Sequence, residues 1–384
     1  MTLPHLHTGS VKNIKGIKGQ SPYVFEFSDR YSVFDWGAMP DNLEQKGACL
    51  AAMAQLFFKK MGEQDFWQEW NPEPKLINSN PLALELWNTF KKSGVSHHCL
   101  GLVDSQNNPS SEMTNSLAVE PVHVPQVSFD PATGKWDYSE YEKSPVKTLV
   151  PLEVIFRFGI PEGSSLMKRV KDPDYLQDIG LTKEPCPGDQ FEIPVIEFST
   201  KLESTDRYVR NNEAKLISGM NDVEFQKTKA LCLLLALRLK DMFFSIGIKL
   251  WDGKFEFAFD QTKDEQGNRN LQLVDSIGPD ELRLTYNGIQ LSKENLRRFY
   301  RNSEWYKKVE EAKGIARDRN EKDWKAICEK ELNCAPAPLS QEQKMAASMM
   351  YKTLTNALYE KFEGKTLFEN TWNLNLLTDK MERL

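Results

Sequence analysis

The chain has 384 residues, of which 40% are apolar and 27% charged, and a net charge of −6. That is enough chain to bury a large core, with the composition of a soluble globular protein. The acidic balance argues against a general nucleic-acid binder, so any anionic substrate must be held by local basic residues. The longest aliphatic run, Ala230 to Leu237, stops at Arg238, far short of a membrane span. The opening MTLPHLHTGS has no apolar signal region. Six scattered cysteines without a C-x-x-C fit a reducing cytoplasm. The histidines have no zinc spacing, and the adjacent His97-His98 reads as polar loop.

In chain order, residues 8–36 read as strand, glycine turn, strand, turn and strand, with Val24, Phe25 and Phe27 marking the second strand. Lys12, Lys15 and Lys18 cluster around Gly9, Gly16 and Gly19. That pattern suits a phosphate cover or, equally, a basic surface turn, and it is not a Walker A loop. Residues 42–62 have the spacing of an amphipathic helix. Residues 104–145 read as an insertion with a small hairpin at Thr133-Gly134. VPLEVIFRF (150–158) predicts a buried strand closed by Arg157, and FEIPVIEFSTK (191–201) another that ends in Lys201. Residues 221–246 predict a buried helix, capped by Asn221 or Asp222 and ended by Gly247. Residues 290–331 and 340–362 predict charged surface helices, with Trp305 and Trp324 as packing anchors.

Two further groups of residues carry candidate chemistry. Phe255, Phe257 and Phe259 alternate along IKLWDGKFEFAFD (248–260), and LQLVDS returns after a polar turn at Gly267. A hairpin symmetric about that turn sets Glu256 opposite Asp275 and Phe257 opposite Val274. Two facing carboxylates repel unless a divalent cation lies between them. Taken alone, the same two acids also suit a solvated face. Arg157 closes an apolar strand, with Ser164, Ser165, Lys168 and Arg169 in the loop beyond it and Arg283 after the hairpin, a set able to clamp a phosphate. Ser165-Leu-Met-Lys168 also matches S-x-x-K, but the companion motifs of acyl-enzyme chemistry are absent.

These segments, in this order, resemble the SAICAR synthetase family. SDRYSVFDW (28–36) is similar to its D-R-x-S-x-[FY]-D segment, with QKG (45–47) following as its K-G does. PLEVIFRFGIPEGSSLMKR (151–169), EIPVIEFSTK (192–201), GIKLWDGKFEF (247–257) and VDSIGPDELR (274–283) resemble four further family segments. The resemblance implies an α+β fold of two lobes with ATP between them and extra C-terminal helices. The expected division is 1–150, with the insertion at 104–145; then 151–303, carrying the metal hairpin; then a helical extension over 304–384. It implies ATP-dependent joining of L-aspartate to carboxyaminoimidazole ribotide in a cytoplasmic enzyme of purine biosynthesis. Small-molecule substrates, no nucleic acid and no membrane follow as partners, with a homo-oligomer left open.

The resemblance also implies roles. Glu256 and Asp275 hold Mg²⁺. Lys12, Lys15, Glu153 and Lys201 meet ATP, and adenine meets the backbone around Leu152–Val154. Arg157, Ser164 or Ser165, Lys168 and Arg283 bind the ribotide phosphate. Asp252 and Lys254 address the imidazole end, Ser32 and Asp35 line the substrate side, and Lys201, Asp206 and Lys254 serve the reacting groups. The chain departs from the pattern at Ser10, where the family has a lysine, and at Ser276, where it has an acid. Those departures leave open a related ligase or small-molecule kinase with another substrate, or a non-catalytic paralogue.

Overall fold

The computed structural model describes residues 3–78, 80–161, 163–319, 321 and 323–384. Helices and strands mix along the chain in an α+β architecture. Two compact units form from interleaved segments. One comprises Met1–Gln55, Leu100–Val119 and Arg283–Leu384; the other comprises Leu56–Cys99 and Glu120–Leu282. No helix among the described residues is long and apolar enough to cross a membrane.

The first unit holds an antiparallel sheet of β1 (His5–Thr8), β2 (Lys12–Lys15), β3 (Tyr23–Phe27), β4 (Cys99–Leu102) and β5 (Ser116–Val119), in the order β1-β2-β3-β5-β4. β5 lies inside the 104–145 stretch read from sequence as an insertion, where no strand was expected outside the small hairpin. The S-D-R segment does structural work here. The Asp29 carboxylate accepts from the Gly47 amide at 2.9 Å, at the start of the Lys46–Gly62 helix. Arg30 donates to the Gly9 carbonyl and to Asn13, bracing the glycine turn.

The Gln341–Glu363 helix corrects the expectation of a surface helix. It starts at a Ser340–Gln343 capping box and buries Met350, Tyr351, Leu354 and Leu358. Ser348, Lys352, Thr353, Thr355 and Asn356 are buried too, and the fold supplies partners. Lys352 pairs with Glu44 at 3.3 Å, and the Asn356 carbonyl oxygen accepts from the Leu367 and Phe368 amides, turning the tail back on the helix.

In the second unit, β6 (Phe129–Asp130) and β7 (Lys135–Trp136) form the expected small hairpin, with Gly134 at φ 68°. β8 (Thr148–Gly159), β9 (Gln190–Thr200), β10 (Tyr208–Val209), β11 (Lys249–Lys263) and β12 (Arg269–Val274) build a larger sheet, ordered β10-β9-β8-β11 with β12 also on β11. The register of β8 on β11 steps by two residues across Val150–Leu152. Pro151 sits there, and a residue without an N–H belongs at such a bulge in a central strand.

The Asp222–Phe244 helix packs on β8, β9 and β11. Asn221 caps it, in a capping box with Glu224. Phe225 meets Phe198 of β9, ring centroids 5.0 Å apart. Arg269 of β12 ties the hairpin to the helix start through the Glu224 carboxylate (2.7 Å) and the Gly219 carbonyl (2.6 Å). Both members of that ion pair are buried. Arg269→Ala is therefore expected to cost about 3–5 kcal/mol, since it strands a buried carboxylate. A denaturant midpoint equal to that of wild type would contradict this.

Candidate active site

The hairpin pairs one residue away from its symmetric register. Glu256 faces Val274, Phe257 faces Leu273 and Phe259 faces Leu271, whereas Lys263 faces Arg269. Two extra β11 residues are absorbed between Phe259 and Lys263, so the strands are not mirror images about the turn. This corrects the expected pairing of Glu256 with Asp275. Asp275 lies just past β12, in the left-handed region at φ 66°. Its charge still acts on Glu256 and on Lys201.

The residue directly opposite Glu256 is another carboxylate, Glu153 of β8, which in turn faces Ser199 of β9. In the next row Lys254, Ile155 and Glu197 face one another; in the third, Asp252, Arg157 and Val195. Paired residues point to one side of a sheet, and so do residues two apart on a strand. Nine side chains therefore share a face, and seven of them are polar or charged. Of the alternate positions, Val154, Phe156, Phe198, Phe255 and Phe257 are apolar and fully buried, and Ile196 is half-buried.

The polar face is buried as well. Glu153, Arg157, Glu197, Ser199, Asp252 and Glu256 are each at most 6% exposed. Burying ions is a poor way to stabilise a sheet, because desolvation offsets the attraction. Lys201, next after β9, bridges the facing carboxylates, 2.6 Å from Glu256 and 3.5 Å from Glu153, and Lys254 pairs with Glu153. Burial alone would lower the Lys201 pKa; Glu256, Asp275 and Glu153 outweigh it and raise it. Burial pushes the Glu256 carboxyl up and Asp275 adds to this, against Lys201 and Lys254.

Beside them, Arg157 donates to Glu197, to Asp252 at 2.8 Å and to the Tyr208 hydroxyl at 3.1 Å. Glu197 also accepts from Arg169 at 2.7 Å and from the Tyr175 hydroxyl at 2.6 Å. Burial would raise the Glu197 pKa, but Arg157 and Arg169 hold it below the ordinary carboxylate range. The Arg169 guanidinium lies 3.3 Å from the centre of the Tyr208 ring.

The second unit thus brings together Glu153, Arg157, Lys201, Asp252, Lys254 and Glu256 from the sequence-derived set, with Asp275 at the strand end. Asp206 and Lys168 are exposed, on the loop after β9 and on the Leu166–Arg169 helix. Ser164 is buried and Ser165 half-buried. In the first unit, the Lys12 ammonium lies 4.4 Å from the centre of the Phe25 ring, and Lys15 pairs with Glu26. Ser32 is buried, Asp35 exposed, and Arg283 lies on the Leu282–Tyr286 strand. Glu153 and Val154 are paired with β9 on one side and β11 on the other, so the sheet takes up their backbone groups.

Sequence reasoning passed over Glu197, although a lone acid within an apolar run was a signal. It also read His97-His98 as polar loop. Both rings instead pack on Phe58, with centroids 5.4 Å away, and His98 Nε2 lies 3.1 Å from the Asp275 carbonyl oxygen.

The SAICAR synthetase family model matches residues 5–312. A provisionally named phosphoribosylaminoimidazole-succinocarboxamide synthase of Archaeoglobus fulgidus is 36% identical over 91% of this chain and 92% of its own. The Thermoplasma acidophilum enzyme of that name is 26% identical over 89% of this chain and 93% of its own. In fold, the chain resembles the SAICAR-synthase of Saccharomyces cerevisiae solved with SAICAR, with a TM-score of 0.54, 21% identity and coverage of 97% of this chain and 96% of that one. The match runs through the glycine hairpin and all three strands of the polar face, and the chain belongs to the SAICAR synthetase family.

Proposed function

We propose that this chain joins L-aspartate to the carboxylate of carboxyaminoimidazole ribotide, cleaving ATP to ADP and phosphate. The observation that carries the reading is the buried polar face of β8, β9 and β11, in a chain whose relatives bear the name of that activity. A carboxylate is a poor acylating group, so one of its oxygens first attacks the γ-phosphorus of ATP. The new O–P bond forms as the bond to ADP breaks, which yields an acyl phosphate. The aspartate amine then attacks the acyl carbon, phosphate leaves, and the nitrogen loses its surplus proton to give the amide. No step needs a covalent bond to the protein; positioning and charge neutralisation carry the rate.

On this reading Lys201 neutralises the transferred phosphoryl group, and Asp252 and Lys254 orient the imidazole end. Lys12 and Lys15 meet ATP phosphates, and Ser32 and Asp35 meet the organic substrates. The donor set fits magnesium. Glu256 and Asp275 offer hard carboxylate oxygens, and five carboxylates (Glu153, Glu197, Asp252, Glu256, Asp275) stand against four cations (Arg157, Arg169, Lys201, Lys254). Among the described residues no three His, Cys, Asp or Glu side chains form a metal cage. Two carboxylates completed by phosphate oxygens are the usual magnesium arrangement. Glu256 and Asp275 would hold the ion, which supplies charge neutralisation at the phosphates.

Given the ribotide, L-aspartate and MgATP, purified protein is expected to release ADP, phosphate and the succinocarboxamide in equal amounts. ADP release with another acceptor but none with aspartate would overturn the assignment. Ribotide carrying heavy oxygen in its carboxylate should pass label to the released phosphate, and unlabelled phosphate would eliminate the acyl phosphate.

The two serines separate on geometry. Ser164 Oγ is buried with no hydrogen-bond partner among the described residues, whereas Ser165 Oγ lies 3.3 Å from Arg169. An unpaired buried hydroxyl costs about 1–3 kcal/mol, a penalty that a phosphate oxygen would relieve. Ser164→Ala is expected to raise the ribotide KM roughly tenfold and Ser165→Ala less than about threefold, as read from initial rates.

A further inference from the structure

Phe34 and Asp35 occupy the central places of a tight turn in the first unit. The Trp36 amide donates to the Val33 carbonyl at 3.1 Å, and the two central residues have φ of 55° and 63°. Positive φ at both places is the type I′ arrangement, which suits Gly, Asn and Asp and opposes a bulky aromatic. Local preference therefore does not account for Phe34, but contacts from the C-terminal helices do. The Phe34 ring packs on Tyr306, centroids 4.3 Å apart, and on Trp305 at 6.2 Å. Trp36, closing the turn, meets Trp305 edge-on at 5.2 Å and Trp324 at 5.8 Å.

Lys313 completes the set. Its ammonium donates to the Phe34 carbonyl at 3.3 Å, stands 4.0 Å from the Asp35 carboxylate and lies over the Trp324 ring at 4.8 Å. The Asp35 side chain nevertheless remains 87% exposed. The backbone is thus held against its own preference while the carboxylate stays open to solvent. Such strain persists only where surrounding structure enforces it, and it concentrates at functional sites.

We propose that the Glu304–Arg319 helix and the turn at Trp324 are a brace that holds the Phe34–Asp35 turn so that Asp35 meets the substrate, with Lys313 as the positioning residue. The inference rests on the proposed place of Asp35 at the organic substrates. Trp305 and Tyr306 lie within the family match, which ends at residue 312, and Lys313 and Trp324 lie just beyond it. Without the Lys313 ammonium the turn loses the tether on the Phe34 carbonyl, the Phe34 backbone relaxes toward negative φ, and Asp35 is displaced with it.

The test is steady-state kinetics of Lys313→Ala, Lys313→Arg and Asp35→Asn beside thermal melts. Lys313→Ala should lower kcat/KM for the ribotide or for aspartate by roughly ten- to a hundredfold, with KM for ATP and the melting midpoint close to wild type. Lys313→Arg, which keeps a charged donor, should recover most of that loss. Wild-type kinetics in Lys313→Ala with impaired Asp35→Asn overturns the brace alone. Wild-type kinetics in Asp35→Asn removes Asp35 from the substrate site and the brace with it. A Lys313→Ala loss accompanied by a large drop in melting midpoint marks a merely structural lysine and also overturns the proposal.

Discussion

Lys201→Met is expected to lower kcat/KM by a factor of roughly 10²–10³, the largest loss from any single change in the polar face. The Lys201 amide donates to the Pro151 carbonyl at 3.0 Å, so its side chain departs from a fixed point beside the bulge. Its ammonium is the bridge between Glu256 and Glu153, which hold directly paired positions on neighbouring strands. Like charges so paired destabilise a sheet. With Lys201 gone, Lys254 is left to oppose them. Glu256, already pushed up by burial and by Asp275, then takes a proton more readily. The variant thus loses a positive charge for the phosphoryl group and weakens a carboxylate proposed for magnesium. Kinetics together with calorimetry of MgATP binding read both consequences. Undiminished kcat/KM in Lys201→Met would remove the lysine from the chemistry.

Glu197→Gln tests stability at the other end of the same face. Arg157 is 2% exposed and Glu197 1%. Removing one partner of such a pair leaves a buried charge uncompensated, at about 3–5 kcal/mol. Asp252 and the Tyr208 hydroxyl still hold Arg157, which favours the lower end. The pH dependence has a definite sign. Burial works against the Glu197 carboxylate, Arg157 and Arg169 outweigh it, and its folded pKa is lowered. A lowered carboxylate stabilises above its unfolded pKa, about 4.3, and that contribution is lost as pH falls through the folded value. The gap in melting midpoint between wild type and Glu197→Gln should therefore be full at neutral pH and close toward the acid end. A gap that stays constant under acid would mean that the charge of Glu197 contributes nothing.

Local chemistry was enough to read much of this molecule from its residues. The alternating phenylalanines place Phe255, Phe257 and Phe259 on one side of β11, and all three are buried. Asn221 caps the long helix, and turns fall at Gly134 and Gly267. Each of these follows from a period, a cap or a backbone angle that neighbouring residues set among themselves. For the same reason Arg157, Lys201 and Glu256 stood out as charges on or beside apolar strands, whereas Asp252 and Lys254 were singled out by the family resemblance.

Which strand lies beside which, and in what register, has no such local origin. Period two tells which residues of β11 share a side, but not that Glu256 would face Val274 of β12 rather than Asp275, with Glu153 of β8 on its other side. Bulges at Pro151 and between Phe259 and Lys263 shift the pairing, and their size depends on long-range closure of the sheet. Glu197 joins Arg157 only once β9 is laid against β8, and Lys313 reaches Phe34 across 279 positions of chain. The identities of the charged groups were therefore a property of the sequence. Their pairing into one buried face was decided by tertiary structure, because only the folded sheet sets the distances between them.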